Sequence, residues 1–282
     1  MQPTFSGSLA SIDGEIMLAS AARIPATDEG LLRGDGVFEV VRLYEGRPFA
    51  MEEHMQRMER SALNLRLPVD LEAIRADAGR LLAHVGSGPE HQLLRMVVTR
   101  GGHRVLLTEP LPPSPDHARL GPVTYSPTLV LDGVKSLSYG ANMLCSRLAR
   151  EQGFDEALLV TPAGHVLEAP TSSFFWISGD EVLTPPLSEH ILASITRRVV
   201  IEVSGAVERS ASLEEVKQAD EAFICSTARE VQPVAAIDDR SLTPGPVTAR
   251  LGEAVMVHIR SILEGSVPSG SGAGQPASGS PG

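Results

Sequence analysis

Lysine is scarce in this sequence, and the two lysines are therefore the first residues to consider for chemistry. Only two of the 24 cationic residues are Lys, at Lys135 and Lys217. An amine can lose its proton and attack a carbonyl carbon, whereas a guanidinium stays charged. Lys217 lies in the polar stretch LEEVKQAD, which predicts an exposed helix and a solvated ammonium. Lys135 follows Gly133 at a predicted strand-to-helix junction, where burial in a cleft would lower its pKa, although a surface lysine at a helix start has the same local sequence.

A carboxylate followed by hydroxyl side chains forms a second candidate site. Glu168 ends the predicted strand HVLEA, and Thr171, Ser172 and Ser173 follow it in a turn. This arrangement offers one anion and several neutral hydrogen-bonding groups in one place. An ordinary exposed hairpin turn has the same composition, so the local sequence leaves both interpretations open.

Two further segments offer hydrogen-bond donors for an anion. Ser194 precedes an apolar helix, so the backbone N–H groups of Ile195 and Thr196 would form the kind of helix N-terminus that binds phosphate. A serine that only caps the helix is the alternative. The second donor cluster ends and follows the strand EAFICS: Ser226, Thr227 and Ala228.

The elements that must position these residues fall into two halves. In the first half, β-branched and apolar runs predict strands over 36–44 and 93–100. Between them, apolar residues at helical spacing predict helices over 52–65 and 71–85. The segment EPLPPSPDHARLGP has five prolines and no apolar period, which indicates a connection between domains.

The second half predicts a larger α/β unit. TLVLDG predicts a strand, and a helix is expected from about Ser136 to Glu151. DEALLV, GHVLEA and SFFWISGDEVLT predict short strands in an antiparallel meander. A helix from Ser194, the strand EAFICS and a final helix over 246–263 follow. The expected organisation is a small N-terminal domain over 1–118, a connection over 119–130, a larger domain over 131–264 and a disordered Gly/Ser/Pro tail over 265–282.

Composition and charge argue against several classes of function. The chain has 282 residues, of which 42% are hydrophobic, and this composition is typical of globular proteins. Its formal net charge is −11, so it lacks the positive charge typical of nucleic-acid binding. No apolar run of about 18 residues predicts a membrane span, and the first residues lack the features of a secretory signal. Cys145 and Cys225 on their own are too few for a disulfide framework or a four-ligand zinc site. We expect a cytoplasmic protein with no metal site and no nucleic-acid or membrane partner.

Taken in order, these segments resemble the class IV (fold-type IV) pyridoxal-phosphate enzymes. That family includes branched-chain aminotransferases, D-amino-acid aminotransferases and aminodeoxychorismate lyases. The resemblance covers about residues 10–240 and includes GDGVFEVVRLYEGRPFAMEEHMQRMERSA over 34–62, KSLSYGANML and STAREVQPV. The sequence departs from the family pattern at Pro170, where a small residue is usual, and at Ser173, where Asn is usual.

The resemblance implies a two-domain α/β (α+β) fold with pyridoxal 5′-phosphate in the cleft between the domains. Lys135 would form the aldimine with this cofactor and move the proton between substrate Cα and cofactor C4′. Glu168 would pair with the pyridinium nitrogen, so that the ring withdraws electrons. Arg57 would bind the 5′-phosphate with two hydrogen bonds, and Tyr139 would contact the 3′-oxygen. The other cofactor-binding residues that the resemblance implies are Thr171, Ser172, Ile195, Thr196, Ser226 and Thr227.

The strand LLRMVVTR bears on the substrate. Branched-chain aminotransferases usually carry Tyr-x-Arg there, and this strand has no Tyr. The ending TRG at Arg100 is closer to the D-amino-acid aminotransferases and aminodeoxychorismate lyases. Arg100 and Arg104 are therefore the candidates for the substrate carboxylate, with Thr227 and Ala228 as further substrate-binding residues, while a charged loop tip is the alternative for the arginines.

Three functions are compatible with these features. The first is an aminotransferase that moves an amino group between a small amino acid and a 2-oxo acid. The second is an aminodeoxychorismate lyase that releases pyruvate to give 4-aminobenzoate. The third is a cofactor-free binding protein, against which the presence of Lys135, Glu168 and Arg57 argues. The resemblance also implies a homodimer in which the partner chain completes the substrate pocket.

Overall fold

The computed structural model describes residues 7–86, 88 and 91–265, and its first sheet lies in the N-terminal part of the chain. The strands of this sheet are β1 Leu9–Ile12, β2 Glu15–Leu18, β3 Gly36–Tyr44, β4 Arg47–Pro48, β5 Leu93–Thr99 and β6 Arg104–Glu109. Their order is β2-β1-β6-β5-β3-β4, and all neighbours are antiparallel. The two long strands predicted in this half, β3 and β5, are confirmed.

Two amphipathic helices form the core of this half with the sheet. The helices of this half are α1 Glu29–Arg33, α2 Met51–Asn64 and α3 Leu71–Leu82, and the amphipathic pair is α2 and α3. Burial of apolar side chains at helical spacing holds α2 against β3 and α3 against β1 and β6, because these side chains leave water together. The shared core includes Met55, Met58, Ala62, Ile74, Leu81, Val37 and Val41.

The second sheet contains the remaining eight strands. They are β7 Ala118–Thr124, β8 Glu156–Val160, β9 Ser173–Ser178, β10 Glu181–Thr184, β11 Val207–Glu208, β12 Glu221–Ser226, β13 Glu230–Ile237 and β14 Arg240–Ser241. Their order is β11-β10-β9-β12-β13-β7-β8, with β14 paired to β13. The sheet is mixed, since β7 runs parallel to both β13 and β8.

Both faces of the second sheet are covered at β9. Phe174 and Trp176 pack into one core, whereas Phe175 packs into another and stacks on Phe223 at 4.9 Å between ring centroids. Burial on both faces explains why this strand reads as a continuous apolar run rather than an alternating one. The helices of this half are α4 Gly140–Glu151, α5 Ile195–Ser204, α6 Leu213–Val216 and α7 Pro246–Gly265.

The structure differs from the predicted connection. Residues 118–124 form β7 between β13 and β8, so the first half of the expected 119–130 connection belongs to the second sheet. The glycine at 121 is required here, because a Cβ atom would lie 2.4 Å from the Phe154 ring. The expected tail starts at Gly265, which is the last residue of α7; the rest of it lies outside the described residues.

The predicted three-stranded meander is only partly correct. β9 and β10 form an antiparallel hairpin, but β8 lies at the other edge of the sheet, beside β7. The segment GHVLEA does not form a regular strand. It folds back on β8 through an N–H···O bond from Leu167 to Leu159 and one from Leu159 to Glu168. The sequence pattern identified extended backbone, whereas tertiary contacts decided which strand it pairs with.

Candidate active site

Lys135 lies in an extended segment beside β3, and the predicted strand before it is wrong. Residues Leu129–Leu131 form a 3-10 turn instead. The carbonyl of Lys135 accepts the N–H of Phe38 at 3.1 Å, and the N–H of Leu137 donates to Gly36 at 2.9 Å. These bonds hold the lysine backbone against the first sheet. α4 therefore begins at residue 140, later than the sequence predicts.

Two aromatic rings and several charges surround the Lys135 amine. Its Nζ lies 4.4 Å from the ring centroid of Phe38 and 5.4 Å from that of Tyr139. Burial and the positive charge of Arg57 lower the pKa of Lys135 to about 8, and the carboxylates of Glu39 and Glu168 partly oppose this shift. At physiological pH, a larger fraction of this amine is therefore neutral and nucleophilic than in an exposed lysine.

Glu168 shares a cavity with Lys135 and Tyr139. The cavity has a volume of about 820 Å³ including its opening to solvent, and its walls include Asn142 and Leu192. The N–H of Leu192 donates to Glu168 Oε1 at 3.1 Å. Burial raises the pKa of Glu168 to about 7 even though this bond and nearby cations lower it. The amine and the carboxylate that the family resemblance assigns to one site thus line one cavity.

Arg57 is buried on α2 and joins the two halves of the chain. Its Nε and Nη2 donate to the Glu39 carboxylate at 2.6 and 2.7 Å. Its Nη1 donates to the carbonyl of Ala193 at 3.1 Å, just before α5. The family resemblance assigns Arg57 to the cofactor phosphate. The structure shows that one edge of its guanidinium already donates to the Glu39 carboxylate.

The start of α5 and the end of β12 lie together. Ser194 caps α5 by accepting the N–H of Arg197 at 3.2 Å, and the first N–H groups of the helix have no acceptor within it. A second, narrower pocket of about 330 Å³ brings these predicted donors together. Its walls include Ile195, Thr196, Ser226, Thr227 and, from α2, His54.

The turn after Glu168 is tighter than its composition suggests. Ala169 and Ser172 form an isolated β-bridge across it. Thr171 is exposed, whereas the buried hydroxyl of Ser172 has no hydrogen-bond partner among the described residues. The carbonyl of Pro170 accepts a bond of 3.1 Å from Asn142, a contact that the sequence did not suggest. The unusual proline is therefore anchored to α4.

The arginines predicted to bind substrate do not line the Lys135 cavity. Arg100 donates to the Asp35 carboxylate at 3.0 and 3.2 Å and to the carbonyls of Leu65 and Arg66. Arg104 donates to Asp77 at 2.9 Å. Both side chains thus have carboxylate partners on the first half of this chain. Nearby, Ala228 lies in the turn that follows β12, next to Thr227.

Arg95 is a cation near Lys135 that the sequence analysis missed. It lies on β5 opposite Val40, and its guanidinium carbon is 5.6 Å from the ring centroid of Phe38, the ring that Lys135 also covers. Its Nη2 pairs with Glu109 at 2.9 Å. The positive charge of Arg95 also lowers the pKa of Lys135. Only the pairing of β3 with β5 brings these residues together, so no local sequence signal identifies Arg95.

The donor set fits pyridoxal 5′-phosphate by its chemistry. Lys135 supplies a primary amine of low pKa, and Glu168 supplies a carboxylate for a ring nitrogen. Arg57 and the start of α5 supply donors for a phosphate, and Ser172 has a buried hydroxyl free to bond. Among the described residues, no group of three or more His, Cys, Asp or Glu could hold a metal ion.

Comparison with known proteins identifies the family. The family model described as amino-transferase class IV matches residues 36–237. A putative branched-chain-amino-acid aminotransferase of Methanocaldococcus jannaschii is 32% identical over 268 residues, covering 86% of this chain and 93% of that protein. A D-alanine aminotransferase of Listeria monocytogenes serotype 4b is 30% identical, covering 85% of this chain and 92% of that protein.

Solved structures are similar over nearly the whole chain. A PLP-bound form of a hypothetical aminotransferase from Mycobacterium tuberculosis has a TM-score of 0.81 at 26% identity, covering 90% of this chain and 99% of that one. The fold IV-transaminase CpuTA1 from Curtobacterium pusillum has a TM-score of 0.79 at 27% identity, covering 91% and 99%. The two-sheet fold is thus that of fold-type IV enzymes. Because the family model matches more than half of the chain, this chain belongs to the class IV aminotransferases, which are pyridoxal-phosphate-dependent transaminases.

Proposed function

We propose that the chain transfers an amino group between a small amino acid and a 2-oxo acid, with Lys135 as the residue that bonds the cofactor. The observation that carries this proposal is the placement of Lys135, with a pKa lowered to about 8, in a cavity that Glu168 also lines. When bound, pyridoxal phosphate supplies a carbonyl carbon for amines and a ring that withdraws electrons from substrate Cα.

The chain's own residues divide the remaining work. Lys135 acts as the base that takes the proton from substrate Cα and returns it, because its amine is easily deprotonated. Glu168 keeps a proton on the ring nitrogen by offering it a buried carboxylate. Arg57, Ile195, Thr196 and the residues that follow β12 hold the phosphate. Phe38 packs beneath the Lys135 amine and limits its movement.

The test of this proposal uses the two lysines of the chain. The purified protein incubated with pyridoxal phosphate should show a visible absorption band that borohydride removes. Mass mapping should then find the reduced cofactor on the Lys135 peptide, while the Lys217 peptide serves as the internal control. A band that is absent after incubation, or an adduct on Lys217 alone, would overturn the proposed role of Lys135.

Substrate tests then separate the possible reactions. Loss of the visible band on adding D-alanine or L-leucine, and its return on adding a 2-oxo acid, is expected of an aminotransferase. The alternative, lyase activity, is supported by a relative named bifunctional aminodeoxychorismate lyase / D-amino acid transaminase from Mycobacterium tuberculosis, 28% identical over 87% of this chain and 96% of that protein. Release of pyruvate from aminodeoxychorismate without any 2-oxo acid would favour the lyase.

We propose that one of three arginines binds the substrate carboxylate. Arg100 and Arg104 are supported by the family resemblance, and Arg95 is supported by its contact with Phe38 beside Lys135. Each of the three has a carboxylate partner, so each would have to exchange or share that partner on binding substrate. Single Arg→Leu variants distinguish them. The residue that binds the carboxylate should raise KM by about tenfold or more while the cofactor stays bound, because a charge-assisted hydrogen bond is lost.

We also propose a cytoplasmic homodimer whose second copy completes the substrate pocket. Large apolar side chains are exposed beside the cavity, including Leu129 at 67% and Val130 at 85% exposure. Exposed apolar groups of this size next to a site are typical of an interface. In the described ranges, no helix is long and apolar enough to cross a membrane.

A further inference from the structure

Glu39 is a buried carboxylate at a position that packing alone would fill with an apolar side chain. It lies on β3 between Val37 and Val41, which belong to the core beneath the first sheet. Its side chain has 0% exposure. Removing a carboxylate from water costs several kcal/mol unless hydrogen bonds and an opposite charge offset it. Glu39 therefore requires an explanation beyond packing.

Three donors from α2 meet the Glu39 carboxylate. Arg57 donates from Nε to Oε1 and from Nη2 to Oε2, and His54 lies with Nδ1 2.8 Å from Oε2. Although burial raises the pKa of Glu39, the hydrogen bonds and charges of Arg57 and His54 lower it to about 2. Burial lowers the pKa of His54, and because the Glu39 carboxylate can only accept, His54 donates to it from Nδ1–H. Glu39 and Arg57 together thus carry no net charge.

The carboxylate fixes which edge of the guanidinium stays available. Nε and Nη2 face Glu39, and Nη1 donates to the carbonyl of Ala193, two residues before Ile195 at the start of α5. A guanidinium has five N–H donors in one plane. The two donors that these contacts leave are one on Nη1 and one on Nη2. Because the Nη2 hydrogen beside Nε faces Glu39, the remaining Nη2 donor lies on the edge of the plane that faces away from Nε.

We propose that Glu39, oriented by His54, is a positioning residue that directs the free edge of Arg57 toward the cofactor phosphate. This inference rests on the proposed function, because it requires that Arg57 binds the phosphate. Glu39 does not touch the phosphate and acts only through Arg57. Since the ion pair is neutral, its contribution comes from the geometry of the donors. Loss of Glu39 should therefore weaken recognition of the phosphate and leave recognition of the rest of the cofactor unchanged.

The test compares pyridoxal phosphate with pyridoxal, which lacks the phosphate. Equilibrium binding of both compounds to the full chain is followed by absorbance, for the wild type and for Glu39→Gln. The variant should lose about tenfold or more of the preference for pyridoxal phosphate over pyridoxal, as expected when charge-assisted hydrogen bonds are misaligned. Its affinity for pyridoxal should stay within about twofold. A purely structural role would lower both affinities together and overturn the inference.

A matched control and a double variant complete the test. Glu221 is a buried carboxylate of the second half that accepts the N–H groups of Val247 and Thr248, so Glu221→Gln should leave the preference unchanged. In an Arg57→Met background, Glu39→Gln should have no further effect on the preference. A further loss there would show that Glu39 does not act through Arg57.

The inference stays testable if Glu39→Gln does not fold. Glu39→Asp keeps the buried charge but withdraws it by one methylene group, so it should also reduce the preference. An unchanged preference in Glu39→Asp, with the fold intact, would overturn the inference. If the wild type binds neither compound, the proposed function fails. If it binds both and Glu39→Gln keeps the preference, only this inference fails.

Discussion

Lys135 and Lys217 carry the same functional group in opposite electrostatic environments. Lys135 is buried against aromatic rings, and this burial together with the nearby cation of Arg57 lowers its pKa from the ordinary value of 10.5 to about 8. Lys217 lies 3.2 Å from Asp238 and 2.5 Å from Asp239, and these carboxylates raise its pKa. The scarcity of lysine thus identified two residues, and the surroundings distinguish their chemistry.

This difference predicts two well-separated titrations. The cofactor-free protein is reductively methylated with ¹³C-formaldehyde, and the two lysine signals are followed by NMR from pH 6 to pH 11. A lowered pKa means that the proton leaves earlier as pH rises, so the Lys135 signal should shift with a midpoint near 8. Lys217 should still be protonated at pH 10 and acts as the internal control. Coincident titrations would contradict the assigned environments.

Glu168 should affect reactivity rather than cofactor retention. Glu168→Gln keeps the shape of the side chain but removes the carboxylate, so the ring nitrogen loses the group that holds its proton. We expect the cofactor to stay bound and kcat to fall by about 10²-fold or more, comparable with the loss of other electrostatic groups that stabilise a transition state. Single-turnover kinetics with bound cofactor measure this effect. An unchanged rate would mean that Glu168 has only a structural role.

At the scale of elements, the apolar pattern of the sequence predicts a helix or strand well where that pattern repeats over many residues. The strand at 36–44 and the helix at 246–263 agree with β3 and α7 to within two residues. The pattern fails where partners come from elsewhere in the chain. The prolines around β7 indicated a connection rather than a strand, and β7 forms because strands pair with it on both sides. The apolar run before Lys135 indicated a strand, but it forms an exposed 3-10 turn.

The same distinction applies to the candidate site. Lys135, Glu168 and the start of α5 became candidates through the family resemblance, since the local sequence alone is equally compatible with a surface lysine, a hairpin turn and a simple helix cap. Arg95 and Glu39 could not be predicted. Their roles depend on β3 pairing with β5 and packing on α2. The pairing of Arg100 with Asp35 is likewise visible only in three dimensions.

A buried ion pair should stabilise the joint between α4, β8 and the turn after β12. Glu156 is 2% exposed, accepts a bond of 2.6 Å from Ser146 and pairs with Arg229 at 3.1 Å. Glu156→Ala removes the acceptor of Ser146 and the opposite charge beside Arg229, so the free energy of unfolding should fall by about 3 kcal/mol. Urea denaturation measures this change.

The control for this prediction is an exposed ion pair of the same residue types. Glu52 pairs with Arg75 at 3.0 Å on the surface of the first half. Glu52→Ala should change the free energy of unfolding by less than about 1 kcal/mol, because water and salt screen exposed pairs. Equal effects of the two variants would show that burial of Glu156 does not determine its contribution.

At the scale of the whole molecule, the candidate site depends on both halves. Phe38 of the first sheet supports Lys135, and Arg57 of α2 contacts Ala193 at the entrance to α5. Glu168 comes from the second half and faces the same cavity as Lys135. The 3-10 turn at Leu129–Leu131 borders this cavity through Leu131, while its neighbours are exposed. This turn is therefore where a second copy could both cover apolar surface and close the site.

The proposed dimer predicts a linked loss of assembly and activity. Light scattering should give twice the chain mass of 30.0 kDa for the wild type. The double variant Leu129→Glu/Val130→Glu places two charges on this turn, so it should shift the protein to the monomer mass and raise KM. Val257→Glu, at an equally exposed apolar position (63%) on α7, is the matched control and should stay dimeric. A double variant that remains a dimer would place the interface elsewhere, since two charges are not tolerated in an apolar contact.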